Sequence, residues 1–242
     1  MRLDKFLADC GIGSRSQVKN FLKKKLVQVN GELEVSPKRQ INEQSDLVTF
    51  AGRLLKHESF VYYLLNKPKG FISATEDNQH RTVLELLDET ARQKQVFPVG
   101  RLDIDTTGLL LLTNNGPLAH AMLSPKRHVF KVYQAKVAGL MTAEDVEAFS
   151  QGIELKDLDC QPAELQILET DQTSQTSLVH IRIAEGKFHQ IKRMVASRGK
   201  KVVELKRLSM GPLTLPKDLP PGHYQRLTGQ DLADLSGFQV DL

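Results

Sequence analysis

The sequence predicts an α+β protein with two domains, a small N-terminal one of helices and a short hairpin and a larger one built on a mixed, mostly antiparallel sheet. Predicted strands and helices do not alternate regularly, which disfavours a parallel doubly wound sheet. Residues 109–112 are four leucines, as expected of a strand that is buried on both faces. The polar segment 52–59 precedes an apolar run, so we expect the linker there and the domains at 1–59 and 60–242.

The N-terminal domain begins with two predicted helices. Apolar residues over 3–10 follow helical spacing, and two glycines then interrupt the pattern. Ser14 and Gln17 have the spacing of a capping box, which predicts the start of the second helix. Asn30-Gly31 is a strong signal for a two-residue hairpin after a short strand.

The larger domain is predicted to contain strands and helices in irregular order. The strands are expected over 60–65, 96–99, 109–112, 129–137, 163–168, 177–183 and 202–205. The helices are expected over 82–87, 117–123, 142–151 and 189–197. Thr142 has the character of an N-cap, and Gly152 and Gly199 follow the ends of the last two helices.

The composition excludes several classes of protein. The 242 residues are 40% hydrophobic and 26% charged, which is ordinary for a soluble globular protein. No apolar run approaches the roughly 20 residues that span a membrane, and the N-terminus lacks the apolar core of a signal peptide. The two cysteines, Cys10 and Cys160, are too few for a disulfide scaffold or a cysteine zinc site. We therefore expect a cytoplasmic protein with reduced thiols.

The net charge of +4 lies wholly in the N-terminal quarter of the chain. Residues 1–59 contain 11 Lys and Arg against 7 Asp and Glu, and the remainder contains 22 of each sign. A second basic concentration, over 187–207, is balanced by acids elsewhere. Two separated basic regions favour a long polyanion as partner over a small acidic metabolite, with an ordinary solvated surface as the alternative.

One carboxylate stands out as a candidate for chemistry. The segment GRLDIDTTG at 100–108 places Asp103 in a loop directly before the predicted leucine strand. A rigid core strand can hold such a loop residue in a fixed position. The alternative is that Asp103 and Asp105 only form turns, as Asp, Thr and Gly often do.

Other segments accompany this loop in a fixed order: LNKPKG at 65–70, KVY at 131–133 and EGKFHQIKRM at 185–194. Together they resemble the motifs of the RsuA/RluA group of pseudouridine synthases, and residues 1–32 resemble an S4 RNA-binding domain. The resemblance covers nearly the whole chain. It implies isomerisation of uridine to pseudouridine in RNA, without a cofactor.

The resemblance also implies roles for individual residues. Asp103 matches the catalytic Asp of the family, and Lys192 matches a position where an Arg or Lys pairs with that Asp. Tyr133 matches the active-site Tyr, whose ring can stack on the flipped uracil. Arg101 matches a position that fills the gap left by the extruded base, and Ile191 is expected to pack below the uracil. Lys67 and Gly70 are expected to shape the site.

The expected RNA contacts lie in both domains. Arg15, Lys19 and Lys23 recur at i, i+4 in the second helix, where like charges repel unless an anion offsets them. We expect these three residues and Lys24 to contact RNA phosphates, which position the protein without reading sequence. In the larger domain, Arg193 is a candidate RNA contact, and Gln190 is expected to contact either backbone or RNA.

The substrate expected within the family is 16S ribosomal RNA or a small-subunit precursor particle. Gly100 and the segments 101–108 and 202–205 favour the 16S-modifying branch, with 23S ribosomal RNA as the alternative. We expect a monomer that does not bind membranes. A non-catalytic RNA-binding protein and a metal-dependent nuclease using Asp103-x-Asp105 are the other classes; no metal is expected, because no further carboxylate cluster supports one.

Overall fold

The computed structural model describes residues 1–43, 45–55 and 57–242, which form two compact units, 1–60 and 61–242. We call them the N-terminal unit and the C-terminal unit. The α+β class predicted from the sequence is confirmed. No helix in the described part of the chain is long and apolar enough to cross a membrane.

The N-terminal unit packs two helices on a four-stranded sheet of order β2-β1-β3-β4. Its elements are α1 (Leu3–Asp9), α2 (Arg15–Lys23), β1 (Val27–Val29), β2 (Glu32–Leu33), β3 (Val48–Phe50) and β4 (Arg53–Leu54). The predicted capping box is confirmed, because Gln17 N donates to Ser14 Oγ and Ser14 N donates to Gln17 Oε1. The predicted hairpin is also confirmed, since Val29 pairs with Glu32 across Asn30 and Gly31, both at positive φ.

The expected linker at 52–59 is wrong in its first half. Arg53–Leu54 form β4, which pairs with β3 at the edge of the N-terminal sheet. The turn between these strands uses Ala51 and Gly52, both at positive φ, a conformation that the polar composition alone does not reveal. Lys56, within the expected linker, lies outside the described residues.

The C-terminal unit is built on a nine-stranded sheet, with helices packed against it. Seven of its strands are hydrogen-bonded in the order β11-β12-β8-β13-β7-β5-β15. In addition, β14 pairs with β13 and β6 pairs with β7. The strands are β5 (Tyr62–Lys67), β6 (Phe97–Pro98), β7 (Thr107–Thr113), β8 (Lys131–Ala138), β11 (Glu164–Asp171), β12 (Thr176–Ile183), β13 (Lys201–Met210), β14 (Leu213–Thr214) and β15 (Tyr224–Arg226); β9 (Glu154–Leu155) and β10 (Leu158–Asp159) form a separate hairpin. The helices are α3 (Glu89–Gln93), α4 (Gly116–Leu123), α5 (Ala143–Gln151), α6 (Gln190–Ser197) and α7 (Gln230–Leu235).

All strand pairs in the large sheet are antiparallel except β7 with β13. The four leucines of β7 are completely buried, as the sequence predicts for a central strand. At Gly108 a Cβ atom would collide with the backbone of Arg207, so only glycine permits the close approach of β7 to β13. The strand that follows the Asp103 loop is therefore fixed on both sides.

The helical segment predicted over 82–87 is a short 3₁₀ helix, Val83–Leu86. Its capping box, Thr82 with Glu85, starts a helical turn, but the chain leaves the helix at Leu87 and begins α3 at the Asp88 N-cap. The predicted helices over 117–123, 142–151 and 189–197 are confirmed within one residue at each end.

Candidate active site

Asp103 lies in the loop between β6 and β7, and the buried side chain of Lys67 supports this loop from below. Lys67 Nζ donates to the carbonyl oxygens of Thr106, Asp103 and Pro68 at 2.9, 3.0 and 3.1 Å. All three ammonium donors are thus used by backbone acceptors. Burial lowers the pKa of Lys67 to about 8, against the opposing effect of the nearby carboxylates of Asp103 and Asp105.

Further hydrogen bonds hold the same loop at its two ends. The Ser73 hydroxyl donates to Leu102 O at 3.1 Å and accepts from Leu102 N at 3.0 Å. Gly70 N donates to Ile104 O at 2.8 Å. The backbone on either side of Asp103 is therefore anchored, so its carboxylate is presented from a rigid support.

Lys192, from the first turn of α6, lies between two carboxylates of this loop. Its Nζ is 3.0 Å from Asp103 Oδ2 and 2.6 Å from Asp105 Oδ1. Desolvation opposes the charge of Lys192, but the hydrogen bonds to Asp105 and Asp103 outweigh it and raise the pKa of the lysine. Desolvation likewise opposes ionisation of Asp105, and the bond to Lys192 brings the pKa of that carboxyl below its usual range. Lys192 and Asp105 are therefore both charged at neutral pH.

His189 approaches the other oxygen of the Asp103 carboxylate. Its Nε2 is 3.5 Å from Asp103 Oδ1. The residue caps α6 with a φ of 49°, a left-handed conformation that is uncommon outside glycine. Lys192 and His189 thus contact opposite oxygens of one carboxylate, from consecutive parts of the same segment.

A pocket opens beside the Asp103 carboxylate. Tyr133 of β8, Ile183 of β12, Leu205 of β13 and Ile191 of α6 form its buried apolar wall. Arg101 lines the same pocket but is exposed to solvent. A planar ring bound in this pocket would lie against an apolar surface, next to a fixed negative charge.

The structure brings most of the residues predicted from the sequence to this one pocket. Asp103, Lys192, Tyr133, Arg101, Ile191 and Gln190 all line it. Arg193 does not, and it pairs instead with Asp157 in the turn between β9 and β10.

The side chain of Gln190 is buried and makes a backbone contact, which is one of the two uses expected from the sequence. Its Oε1 accepts from Lys187 N at 3.0 Å, and its Nε2 donates to Glu185 Oε1 at 2.6 Å. We therefore assign Gln190 to the support of the loop before α6. A glutamine within a basic segment carries no sequence signal that distinguishes these two uses.

Two residues have a larger part in the site than the sequence indicates. Asp105, considered from the sequence only as a turn residue or part of a metal site, shares Lys192 with Asp103. Lys67 was expected only to shape the site, and no local pattern reveals its three carbonyl contacts. The available signal was a lysine that lies two residues after an apolar run and directly precedes a proline.

Metal binding has no support at this loop. Lys192 already occupies the position between Asp103 and Asp105. Among the described residues, no group of three or more His, Cys, Asp and Glu side chains is placed to hold a metal ion.

The basic residues of α2 form a second candidate surface, in the N-terminal unit. Arg15, Lys19, Lys23 and Lys24 are all exposed. None of them forms an ion pair with a carboxylate of the described residues. We call these four residues the basic row. Its charge is available to an anionic ligand.

The fold and the pocket define an enzyme with a carboxylate–lysine centre, joined to a small basic α+β unit. The family model for RNA pseudouridylate synthase matches residues 61–197, and the S4 domain model matches residues 1–47. The chain belongs to the RNA pseudouridylate synthase family and carries an N-terminal S4 domain. It is a pseudouridine synthase.

Several bacterial relatives match along nearly their whole length. An uncharacterized RNA pseudouridine synthase, YtzG, of Bacillus subtilis (strain 168) is 41% identical, covering 96% of this chain and 97% of the relative. Ribosomal small subunit pseudouridine synthase A of Escherichia coli (strain K12) is 37% identical, over 97% and 100% of the two chains. Ribosomal large subunit pseudouridine synthase B of Bacillus subtilis (strain 168) is 36% identical, over 97% and 95%.

A solved structure supports the architecture. A pseudouridylate synthase crystal structure superposes with a TM-score of 0.66 at 35% identity, covering 97% of this chain and 99% of the other. The similarity extends over both units.

Proposed function

We propose that this enzyme converts one uridine of bacterial 16S ribosomal RNA to pseudouridine, with Asp103 as the catalytic carboxylate. The observation that carries the proposal is the contact of Asp103 with Lys192, on an anchored loop, beside a pocket lined by Tyr133 and Ile191. The similarity to small-subunit synthases over nearly the full chain supports the choice of RNA.

The chemistry of the pocket suits this isomerisation. Positive charge develops on the ribose as the N1–C1′ bond of uridine breaks, and a fixed carboxylate nearby stabilises that charge. Asp103 supplies the carboxylate, and Lys192 holds it in place. The base then turns and rejoins the sugar through C5, which loses its proton while N1 gains one. The detached base stays in the pocket, so the reaction balances without a cofactor.

The target base must leave the RNA helix to reach Asp103. Tyr133, which lines the pocket, stacks its ring on the extruded uracil, and its hydroxyl serves proton transfer at C5. Arg101, exposed at the pocket, occupies the space that the base vacates in the RNA.

The two units have different roles. The basic row of the N-terminal unit contacts phosphates of the RNA, and the C-terminal unit carries the reaction. Phosphate contacts supply affinity and register, while the pocket selects the uridine. In this account the enzyme acts as a monomer in the cytoplasm, on 16S RNA within an assembling small-subunit particle.

A second candidate substrate is 23S ribosomal RNA. It is favoured by the 36% identity to a large-subunit synthase, close to the 37% found with a small-subunit synthase. The pocket chemistry is the same for both.

Pseudouridine mapping tests the proposal. Ribosomal RNA from cells with and without the gene is treated with carbodiimide and read by reverse transcription. Loss of one stop in 16S RNA, restored by the wild-type gene and not by Asp103→Asn, is the expected result. Loss of a stop in 23S RNA would mean that the substrate is 23S RNA and would leave the proposed reaction unchanged. Restoration of the stop by Asp103→Asn would overturn the assignment of Asp103, and an unchanged map would favour a non-catalytic RNA-binding protein.

A further inference from the structure

Phe188 is an exposed aromatic side chain next to the active site, and the reaction described above does not use it. Its side chain is 75% exposed, more than any other large hydrophobic side chain of the described residues. Leaving a large apolar side chain in water forgoes the stabilisation that burial would give. The ring is therefore available to a ligand that binds beside the active site.

The exposure of Phe188 does not come from a loosely held segment. Gln190, two residues after Phe188, binds the loop that precedes the ring, through Lys187 N at 3.0 Å and Glu185 Oε1 at 2.6 Å. Glu185 Oε1 also accepts from Gln161 N at 2.9 Å, which ties the loop to the chain before β11. The loop therefore holds the ring out in a fixed position.

One face of the Phe188 ring is already stacked. The His189 ring lies against it, with centroids 3.9 Å apart and planes inclined by 18°. His189 in turn approaches Asp103 Oδ1 at 3.5 Å. The Phe188 ring is thus one stacking distance beyond the histidine that contacts the proposed catalytic carboxylate.

Phe188 also lines a groove that continues from the active-site pocket. The groove and the pocket share Arg101, Asp103, Lys187 and His189. Ile104, itself 39% exposed, adds a second apolar side chain to the groove. Apolar surfaces flanked by Arg101 and Lys187 match a nucleotide, which combines a flat base with a phosphate.

We propose that Phe188 is a stacking platform for an unpaired base that neighbours the target uridine in the RNA strand. This inference rests on the proposed function, since it assumes that a uridine enters the pocket at Asp103. The platform stacks one neighbouring base and fixes the RNA strand relative to Asp103. Stacking is tolerant of base identity, so the platform contributes to affinity and register rather than to sequence reading.

The test uses the full-length protein and the RNA fragment in which pseudouridine mapping locates its target, whichever RNA that is. The dissociation constant and the single-turnover rate at saturating enzyme are measured for wild type, Phe188→Ala and Phe188→Trp. Val203→Ala is the matched control, because Val203 is a 53% exposed apolar residue of the same unit that does not line the groove. Each protein is also tested on two further RNAs. One carries an abasic nucleotide immediately before the target, and the other carries it immediately after the target.

We expect Phe188→Ala to weaken RNA binding roughly tenfold while changing the saturated rate less than threefold. Phe188→Trp should bind like wild type, and Val203→Ala should show no change. One of the abasic RNAs should bind wild type roughly tenfold more weakly than the intact RNA does. On that RNA, wild type and Phe188→Ala should have the same dissociation constant. Such a loss of difference identifies the base that the ring contacts, which a merely structural role would not produce.

Two results would overturn the platform and leave the proposed function intact. The first is a Phe188→Ala dissociation constant within twofold of wild type. The second is a binding defect that persists unchanged on every abasic RNA. If the wild-type protein forms no pseudouridine in any RNA, the proposed function fails first, and the platform fails with it.

Discussion

In the N-terminal unit the cations of the basic row are exposed and form no ion pair with a carboxylate of the described residues, whereas Lys67 and Lys192 at the active site are enclosed and bonded to groups of the protein. Lys19 and Lys23 extend into solvent from one face of α2. Lys67 donates to three carbonyl oxygens, and Lys192 contacts two carboxylates. The same residue type therefore serves two purposes, set by what surrounds it: an exposed lysine is available to an external anion, and an enclosed one positions groups of the protein.

The comparison has an energetic side. Exposed like charges at i, i+4 cost the isolated protein a few tenths of a kcal/mol per pair, and an RNA phosphate would offset that cost. The enclosed lysines lose their hydrogen bonds to water and replace them with hydrogen bonds to the loop that carries Asp103. Variants in the two regions should therefore change different measured quantities.

The largest expected effect is at Asp103 itself. Asp103→Asn removes the negative charge next to the reacting sugar, so we expect the rate of pseudouridine formation to fall at least about 1000-fold. Asp105→Asn is the matched control, because it removes the other carboxylate that contacts Lys192. It should reduce the rate no more than about tenfold. Release of tritium from uracil C5 of labelled RNA measures both, and equal losses in the two variants would contradict the assignment.

Removal of the lysine between the carboxylates should have the next largest effect. Lys192→Met keeps the length of the side chain but leaves Asp103 and Asp105 without their shared cation. We expect the single-turnover rate to fall about 100-fold with little change in RNA affinity. Lys192→Arg preserves the charge and should retain activity within about tenfold. A Lys192→Met enzyme with wild-type rate would mean that the contact is not used in the reaction.

Variants of the basic row should change the affinity for RNA rather than the rate of pseudouridine formation. Lys19→Ala combined with Lys23→Ala should weaken RNA binding about tenfold at 0.1 M salt and lower the slope of log K against log salt by about 1.4 to 1.8. Lys38→Ala, at another exposed lysine of the same unit outside α2, should leave the slope unchanged. Filter binding over a salt series measures this, and an unaltered slope in the double variant would show that α2 does not contact phosphates.

The smallest effect concerns stability and pH at Lys67. Folding lowers the pKa of Lys67 from 10.5 to about 8, so between these values the unfolded chain binds a proton that the folded chain does not. The free energy of unfolding contributed by this group therefore rises with pH in that window, by up to about 1.4 kcal/mol per pH unit. Below about pH 8 both states are protonated, and the contribution is constant.

Lys67→Met removes this titration. The difference in free energy of unfolding between wild type and Lys67→Met should widen in favour of wild type from about pH 8 to 10.5, and stay level from pH 6 to 7.5. Urea unfolding at a series of pH values gives the difference directly. A constant difference throughout the alkaline range would mean that Lys67 titrates as a solvated lysine.

Sequence patterns were sufficient where the cause of a structure is local or where an ordered set of motifs carries it. The leucines of β7, the Ser14 capping box and the Asn30-Gly31 hairpin depend on neighbouring residues, and all three are present as predicted. The resemblance paired Asp103 with Lys192 across 89 positions of sequence, and the structure places them 3.0 Å apart. Neither spacing nor composition could have joined two residues so far apart.

The remaining features depend on contacts between distant segments. Lys67 reaches Asp103 and Thr106 only because β5 and β7 pair antiparallel in one register, which no window of sequence contains. Gln190 is bonded internally because the loop before α6 folds back on it. The edge strand β4 lies in a segment whose polarity also suits a linker. In each case the tertiary partner decides between two local possibilities.

The central claim, that exposed and enclosed cations act independently, is tested most directly by combining variants from both regions. The dissociation constant and the saturated single-turnover rate are measured on one RNA for Lys192→Met, for the Lys19→Ala, Lys23→Ala double variant and for the triple variant. We predict that the triple variant has the rate of Lys192→Met and the affinity of the double variant, each within threefold. A triple variant that departs further from either value would contradict the separation of the two regions.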